Sequence, residues 1–169
     1  MTELLILVDK KDQAIGLAAK EKCHQNSGIL HRAFSIFIFD KKGQLLLQKR
    51  SSNKVLWPLF WSNSCCSHPK KGEDLLSAAQ NRLKQEMGID CQLRQEGKLT
   101  YQACFKDKGA EREITNIFIG TYSGPVFPNP EEVAEIKWVE PKKLAADIKV
   151  NPGIYTPWFK LIYQQFFSK

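Results

Sequence analysis

One amphipathic stripe, set between groups of β-type runs, constrains this chain most. Across residues 74–87 the apolar side chains Leu75, Leu76, Ala79, Leu83 and Met87 recur at helical spacing, and Gly88 supplies the stop. Glu73 and Asp74 place negative charge at the positive end of that helix. On either side the pattern changes. Runs rich in apolar and β-branched residues predict strands over 4–8, 33–39, 45–49, 91–105, 113–122 and 136–139. The turn Asp40-Lys41-Lys42-Gly43 joins the second and third of these as a hairpin. Further helices are predicted over 141–148 and 157–167, while Pro125, Pro128 and Pro130 mark a loop. A stripe and several half-apolar strands must bury their faces against one another, which predicts an α/β (α+β) layered domain.

With 169 residues, and with neither a repeat nor a Ser/Gly/Pro linker to divide it, the chain is expected to form one domain over 1–169. The opening apolar run, Leu4 to Val8, is too short for a membrane span or the apolar region of a signal peptide. Five cysteines, an odd number that includes the adjacent pair Cys65-Cys66, do not form a disulfide framework, so a reducing cytoplasm is expected. The net charge of +7 favours an anionic partner. The basic residues are nonetheless spread out as isolated pairs such as Lys70-Lys71, with no block to suggest nucleic acid or a membrane surface.

The chain has three histidines, His24, His31 and His68. His68 lies two residues after Cys66, so in an extended segment both side chains point the same way. The same period aims Glu111 and Glu113 at one face and Arg112 at the other. Three imidazoles and two carboxylates, if they converge, suit Mn²⁺, Zn²⁺ or Fe²⁺ better than Mg²⁺. Arg82 and Glu86, four apart on the predicted helix, form either an intrahelical pair or a pair facing a cleft. Lys20, Arg50 and Lys54 are candidates for holding phosphate oxygens, Arg50 above all because its fork binds two at once. Each is, on its own, equally a solvated surface charge. Trp57, Phe60, Trp61, Tyr101, Phe105, Trp158 and Phe159 supply aromatic walls.

Taken together, His24, His31, the run WPLFWSNSCCSHP over 57–69, NRLKQEMGI over 81–89, EREI over 111–114 and TPW over 156–158 resemble the type I isopentenyl-diphosphate isomerases along nearly the whole chain. That family resembles the Nudix hydrolases in fold, so the resemblance implies a Nudix-like mixed β-sheet sandwiched between helices. Residues 67–89 look like a decayed Nudix box. Glu73 and Glu86 keep acidic positions, but Ser67 stands where a glycine belongs, and Arg82 and Gln85 replace two carboxylates. A hydrolase gathers Mg²⁺ on such carboxylates, so their loss points to a diphosphate that is gripped rather than cut.

The resemblance implies that His24, His31, His68, Glu111 and Glu113 bind one divalent metal, Mn²⁺ or Zn²⁺. It also implies that Glu86 helps hold Mg²⁺ carried in with the diphosphate, with the main-chain carbonyl of Cys66 beside it. Lys20, Arg50, Lys54 and Arg82 match the diphosphate-contacting residues. Lys22 competes for the role of Lys20. Cys66 would face Glu113, assisted by Tyr101, across the alkene of isopentenyl or dimethylallyl diphosphate, and Trp158 would support the tertiary carbocation. Coordinated to a metal, Glu113 would hold its proton weakly, so Glu113 with Tyr101 is expected to donate and a Cys66 thiolate to accept. Cys65, on the opposite face, is expected to be a small buried hydrophobe. The implied partner is a small-molecule diphosphate, with neither nucleic acid nor membrane, and the protein is expected to act as a monomer. The alternatives are a Nudix-type nucleoside diphosphate hydrolase and a non-catalytic nucleic-acid-binding or structural zinc domain.

Overall fold

A computed structural model describes residues 2–168. Strand β1 (Leu4–Val8) pairs antiparallel with β2 (Ala14–Ala19), which runs into one helical turn, α1 (Lys20–Cys23). Then follow β3 (His31–Phe39), β4 (Leu45–Arg50), β5 (Trp61–Ser62), β6 (Cys65–Ser67), α2 (Leu75–Met87), β7 (Leu93–Phe105), β8 (Gly109–Thr121), β9 (Val133–Val139), α3 (Pro141–Val150) and α4 (Pro157–Ile162). A π-helical turn, Tyr163–Phe167, continues α4. All the predicted strands and helices are present. Sequence reading missed β2, α1, β5 and β6, and it began the strand at Glu113 that in fact starts at Gly109. These elements are too short, or too weakly patterned, to stand out locally.

Strand β3 is the organising element. One of its edges carries β8 in parallel from His31 opposite Glu113 to Phe39 opposite Thr121, and β7 follows outside β8. Its other edge is shared by β1 at His31, β6 over Phe34 to Ile36, and β4 at Phe39. A strand buried on both faces reads as a continuous apolar run, which is why RAFSIFIF shows no polar alternation.

Helices cover both faces. Beneath the sheet α2 packs Ala78, Ala79, Leu83 and Met87 against Phe34, Ile36, Ile38 and Phe118. Burying Leu83 and Met87 in full contributes about 1.5–3 kcal/mol each. Asp74 caps this helix by accepting from Ser77 N at 2.9 Å, and Gly88 ends it at φ +67°. Leu76, expected on the apolar stripe, faces solvent, and Ala78 takes the inward place. On the opposite face Phe37, Tyr101, Phe105 and Ile117 pack with Trp57, Trp61, Leu144, Trp158, Phe159 and Ile162, so α3 and α4 close that side. None of the described helices is long and apolar enough to cross a membrane.

Candidate active site and metal centre

Register alone brings most of the site together. Leu7, His31, Glu113 and Tyr101 form one row across β1, β3, β8 and β7. Cys66 stands opposite Ser35, an even four residues along β3 from His31, so it shares their face. His68, two beyond Cys66, returns to the same face. His24 arrives separately, as the residue that caps α1.

The five expected ligands converge, with ligand atoms all within 4.8 Å of one another. His24 Nε2 lies 2.7 Å from Glu111 Oε2, His68 Nε2 lies 3.0 Å from Glu113 Oε1, and His31 Nε2 lies 3.2 Å from His68 Nε2. The outer nitrogens of His24 and His31 donate to the carbonyls of Lys20 and Ile29, each at 2.7 Å, which fixes both rings with Nε2 turned inward. Glu111 Oε2 and His68 Nδ1 are buried without a hydrogen bond. Although Glu111 Oε2 is close to His24 Nε2, the Nδ1–H of His24 is committed elsewhere, so a neutral ring meets the carboxylate with a lone pair. Three nitrogens and two carboxylates crowded in this way fit a divalent cation of the borderline class. The charges respond to the crowding. Burial disfavours the charged form of His24, but Glu111 outweighs it and raises the ring's pKa. Burial dominates at His68 and lowers it. Glu113 is also desolvated, yet the neighbouring His31 and His68 prevail and hold it well below the usual carboxylate range.

Four of the five, His24, His68, Glu111 and Glu113, form one wall of a cavity of about 510 Å³, a volume suited to a small ligand. Cys66, Tyr101, Trp158 and all four expected cations, Lys20, Arg50, Lys54 and Arg82, line it as well. Tyr101 donates to Glu113 Oε2 at 2.6 Å. Trp158 Nε1 donates to Ser62 Oγ at 3.1 Å, and Ser62 in turn meets Thr156 Oγ1 at 3.0 Å, so the indole is pinned. Trp57 stands perpendicular to it at 5.2 Å, and Arg50 lies over its ring at 5.3 Å. Arg50 is held there by the carbonyls of Leu56 and Trp57, which accept at 2.9 and 3.0 Å. The turn presenting those carbonyls places Trp57 and Leu59 at positive φ, +48° and +62°.

Two expectations, the charge state of Cys66 and the role of Cys65, need correction. Burial pushes the Cys66 thiol up to about 12, against the pull of Arg50, so its resting form is the protonated thiol and not the expected thiolate. Cys65 is fully buried on the α2 face, but it is no mere hydrophobe, because its S–H donates to Glu86 Oε2 at 2.8 Å. Glu86 stands apart from the five-ligand cluster, buried and engaged by Cys65 and by Arg82 Nε at 3.3 Å. The Cys66 thiol lies outside the five-ligand group, with Asn63 Oδ1 as its hydrogen-bond partner at 3.9 Å.

Sequence reasoning missed Asn63, Glu132 and Gly109. Asn63 donates to the carbonyls of Ile36 and Cys65 and so anchors the strand that presents Cys66. Glu132, from the Pro-containing loop, pairs with Lys54 and with Arg82 Nη2 at 2.8 Å. No local pattern marks it. Gly109 takes φ +143°, and a Cβ there would lie 2.3 Å from the carbonyl oxygen of His24. That oxygen accepts from Ala110 N at 2.9 Å, so the hairpin is keyed directly onto a candidate ligand. Gly109→Ala is therefore expected to displace His24 and weaken divalent-metal binding about 10–100-fold, as outer supports of metal sites commonly do. Calorimetric titration with Mn²⁺ checks this; an unchanged affinity would show that the hairpin yields instead of His24.

A mixed sheet between helices, with a strand–loop–helix segment at its centre, defines the class. A family model for the NUDIX domain matches residues 29–159, and the chain belongs to that family. Solved structures agree on the fold: a Deinococcus radiodurans protein at 17% identity superposes with a TM-score of 0.79 over 98% of this chain and 99% of its own. The MutT protein of Methanosarcina mazei does so at 19% identity and TM-score 0.67, over 81% of this chain and 92% of its own.

Within that fold the sequence is much nearer to one group. It is 48% identical to isopentenyl-diphosphate Delta-isomerase 2 of Photorhabdus laumondii over 96% of this chain and 91% of the relative. It is 45% identical to isopentenyl-diphosphate Delta-isomerase of Serratia proteamaculans over 96% and 90%. The chain belongs to the isopentenyl-diphosphate Delta-isomerase family.

Proposed function

We propose that the protein interconverts isopentenyl and dimethylallyl diphosphate by adding a proton at one carbon of an alkene and removing one from another, through a tertiary carbocation. The observation that carries this reading is the pairing of a half-buried thiol, Cys66, with a Tyr101-bound carboxylate, Glu113, on one aromatic-walled cavity that is also lined by four cations. An unactivated alkene is a very weak base, so the acid must be strong or well placed and the cation must be shielded from water.

Glu113 and Cys66 supply the acid and base. The thiol and the carboxylate are the resting forms favoured by their surroundings, so Cys66 is ready to donate and Glu113 to accept. Because the reaction runs both ways, each group donates in one direction and accepts in the other. The indole assigned to cation support is Trp158, which can use only the ring face that Arg50 does not cover. Lys20, Arg50, Lys54 and Arg82 would hold the diphosphate.

His24, His31, His68, Glu111 and Glu113 would hold one Mn²⁺ or Zn²⁺, which when bound neutralises the two carboxylates and orients Glu113. Mg²⁺ would enter with the diphosphate, and Glu86 with the main-chain carbonyl of Cys66 would form its protein side. The proposed working unit is a monomer, with 1–169 as one catalytic domain. The hydrolase alternative is disfavoured because Glu86 is the lone acid of α2.

Incubation of metal-loaded protein and Mg²⁺ with isopentenyl diphosphate in D₂O is expected to yield deuterium-labelled dimethylallyl diphosphate. Release of phosphate without isomerisation would instead favour the hydrolase.

A further inference from the structure

We infer that Lys108 is a further diphosphate-binding residue, a fifth cation that reaches over the anionic end of the ligand from the tip of the β7–β8 hairpin. The identity of the ligand rests on the isomerase reading, whereas the anion site does not.

Lys108 lines the same cavity as Lys20, Arg50, Lys54 and Arg82. Those four are already engaged. Lys20 Nζ sits 2.8 Å from Glu3, Lys54 pairs with Glu132, and Arg82 lies 3.3 Å from Glu86 and 2.8 Å from Glu132. Arg50 is spent on two main-chain carbonyls. Three of the four cations are therefore matched by three carboxylates, which cancel much of their field toward an incoming anion. Among the described residues, the Lys108 ammonium meets no carboxylate within ion-pair distance and no side-chain or main-chain acceptor.

The main chain beneath it is held. Phe105 pairs with Gly109 across the tip, Lys108 N donates to Phe105 O at 3.0 Å, and Ala110 N donates to His24 O at 2.9 Å. The tip also separates its two lysines, since Lys106 Nζ lies over the Phe105 ring at 5.5 Å while Lys108 lines the cavity. A cation on an anchored main chain, with no ion pair to break, binds an anion without the offsetting loss that its engaged neighbours incur. Ala110 N, two residues beyond Lys108, bonds the His24 carbonyl, so Lys108 reaches the cavity from backbone joined to that of a metal-centre residue.

The test compares Lys108→Ala, Lys108→Glu and Lys108→Arg with the unaltered protein, all metal-loaded. Calorimetry reads the affinity for inorganic pyrophosphate with Mg²⁺, and steady-state kinetics separates KM from kcat. Alanine is expected to weaken pyrophosphate binding and raise KM about tenfold, glutamate more, and arginine less than about threefold, with the effect falling on KM rather than kcat. Added salt should narrow the difference between the unaltered protein and the alanine variant. A Lys108→Glu variant with its melting temperature retained, whose pyrophosphate affinity and KM both stay within about twofold, would overturn the inference. So would a loss confined to kcat. Should the unaltered protein turn over no isopentenyl diphosphate, the isomerase reading falls while the pyrophosphate titrations still decide the role of Lys108.

Discussion

Cys66→Ala is expected to lower isomerisation by about 10²–10⁴-fold while leaving pyrophosphate affinity within a few-fold of the unaltered protein. The thiol is half-buried and protonated, and its hydrogen-bond partner, Asn63 Oδ1, is 3.9 Å away, so its removal strips a proton carrier from the cavity wall without breaking a close hydrogen bond. Glu113→Gln should cost at least as much. The amide cannot take up a proton as the carboxylate does, and it also disturbs contacts to His68 and Tyr101 at 3.0 and 2.6 Å. The two losses should not add, because either substitution leaves a proton transfer without its counterpart. Deuterium incorporation from D₂O, followed separately from net turnover, checks both variants. Retained turnover in both would refute the assigned pair.

Binding of a divalent ion is expected to change stability as much as catalysis. Five ligand atoms within 4.8 Å include two carboxylates and a buried oxygen with no hydrogen bond, an arrangement that is costly until a cation sits among them. At a metal concentration a thousandfold above Kd, stabilisation of about 4 kcal/mol follows from linkage. For a chain of 169 residues this is a rise in Tm of roughly 8–16 °C. His31→Ala should abolish most of that rise, and a chelator should reverse it in the unaltered protein. The sign with pH follows from the ligands. His24 has a raised pKa, so it takes up a proton earlier than an ordinary histidine as the pH falls, and metal affinity should drop across that range. Differential scanning calorimetry with and without Mn²⁺, repeated across pH, measures all four effects; a Tm indifferent to metal would remove the centre.

The alternation of strand side chains was the most legible part of the site. Cys66 and His68, two apart, share a face, as do Glu111 and Glu113, because the strand period is two and depends on nothing distant. The same rule sent Cys65 to the other face, where it is buried against α2. What alternation could not show was that Glu86 would be waiting there to accept its proton, since the two are 21 residues apart.

Charge state was the least legible. A thiolate at Cys66 was expected from a chemical role, but burial outweighs the favourable field of Arg50, and burial belongs to the folded cavity rather than to any stretch of chain. Glu132 escaped notice for a related reason. It lies in a loop without periodicity and gains its partners only when β4 and α2 are brought beside that loop.

Local sequence thus determined the helix over residues 75–87, the long strands, and which face each functional side chain takes, because periodicity and capping act over a few residues at a time. Tertiary structure decided the rest. Only the row formed by β1, β3, β8 and β7, with His24 keyed against the hairpin at Gly109, gathers five ligands from positions 24 to 113 around one point. Only the folded cavity sets which of its acids keep their protons, since desolvation and neighbouring charge exist there once the layers have packed.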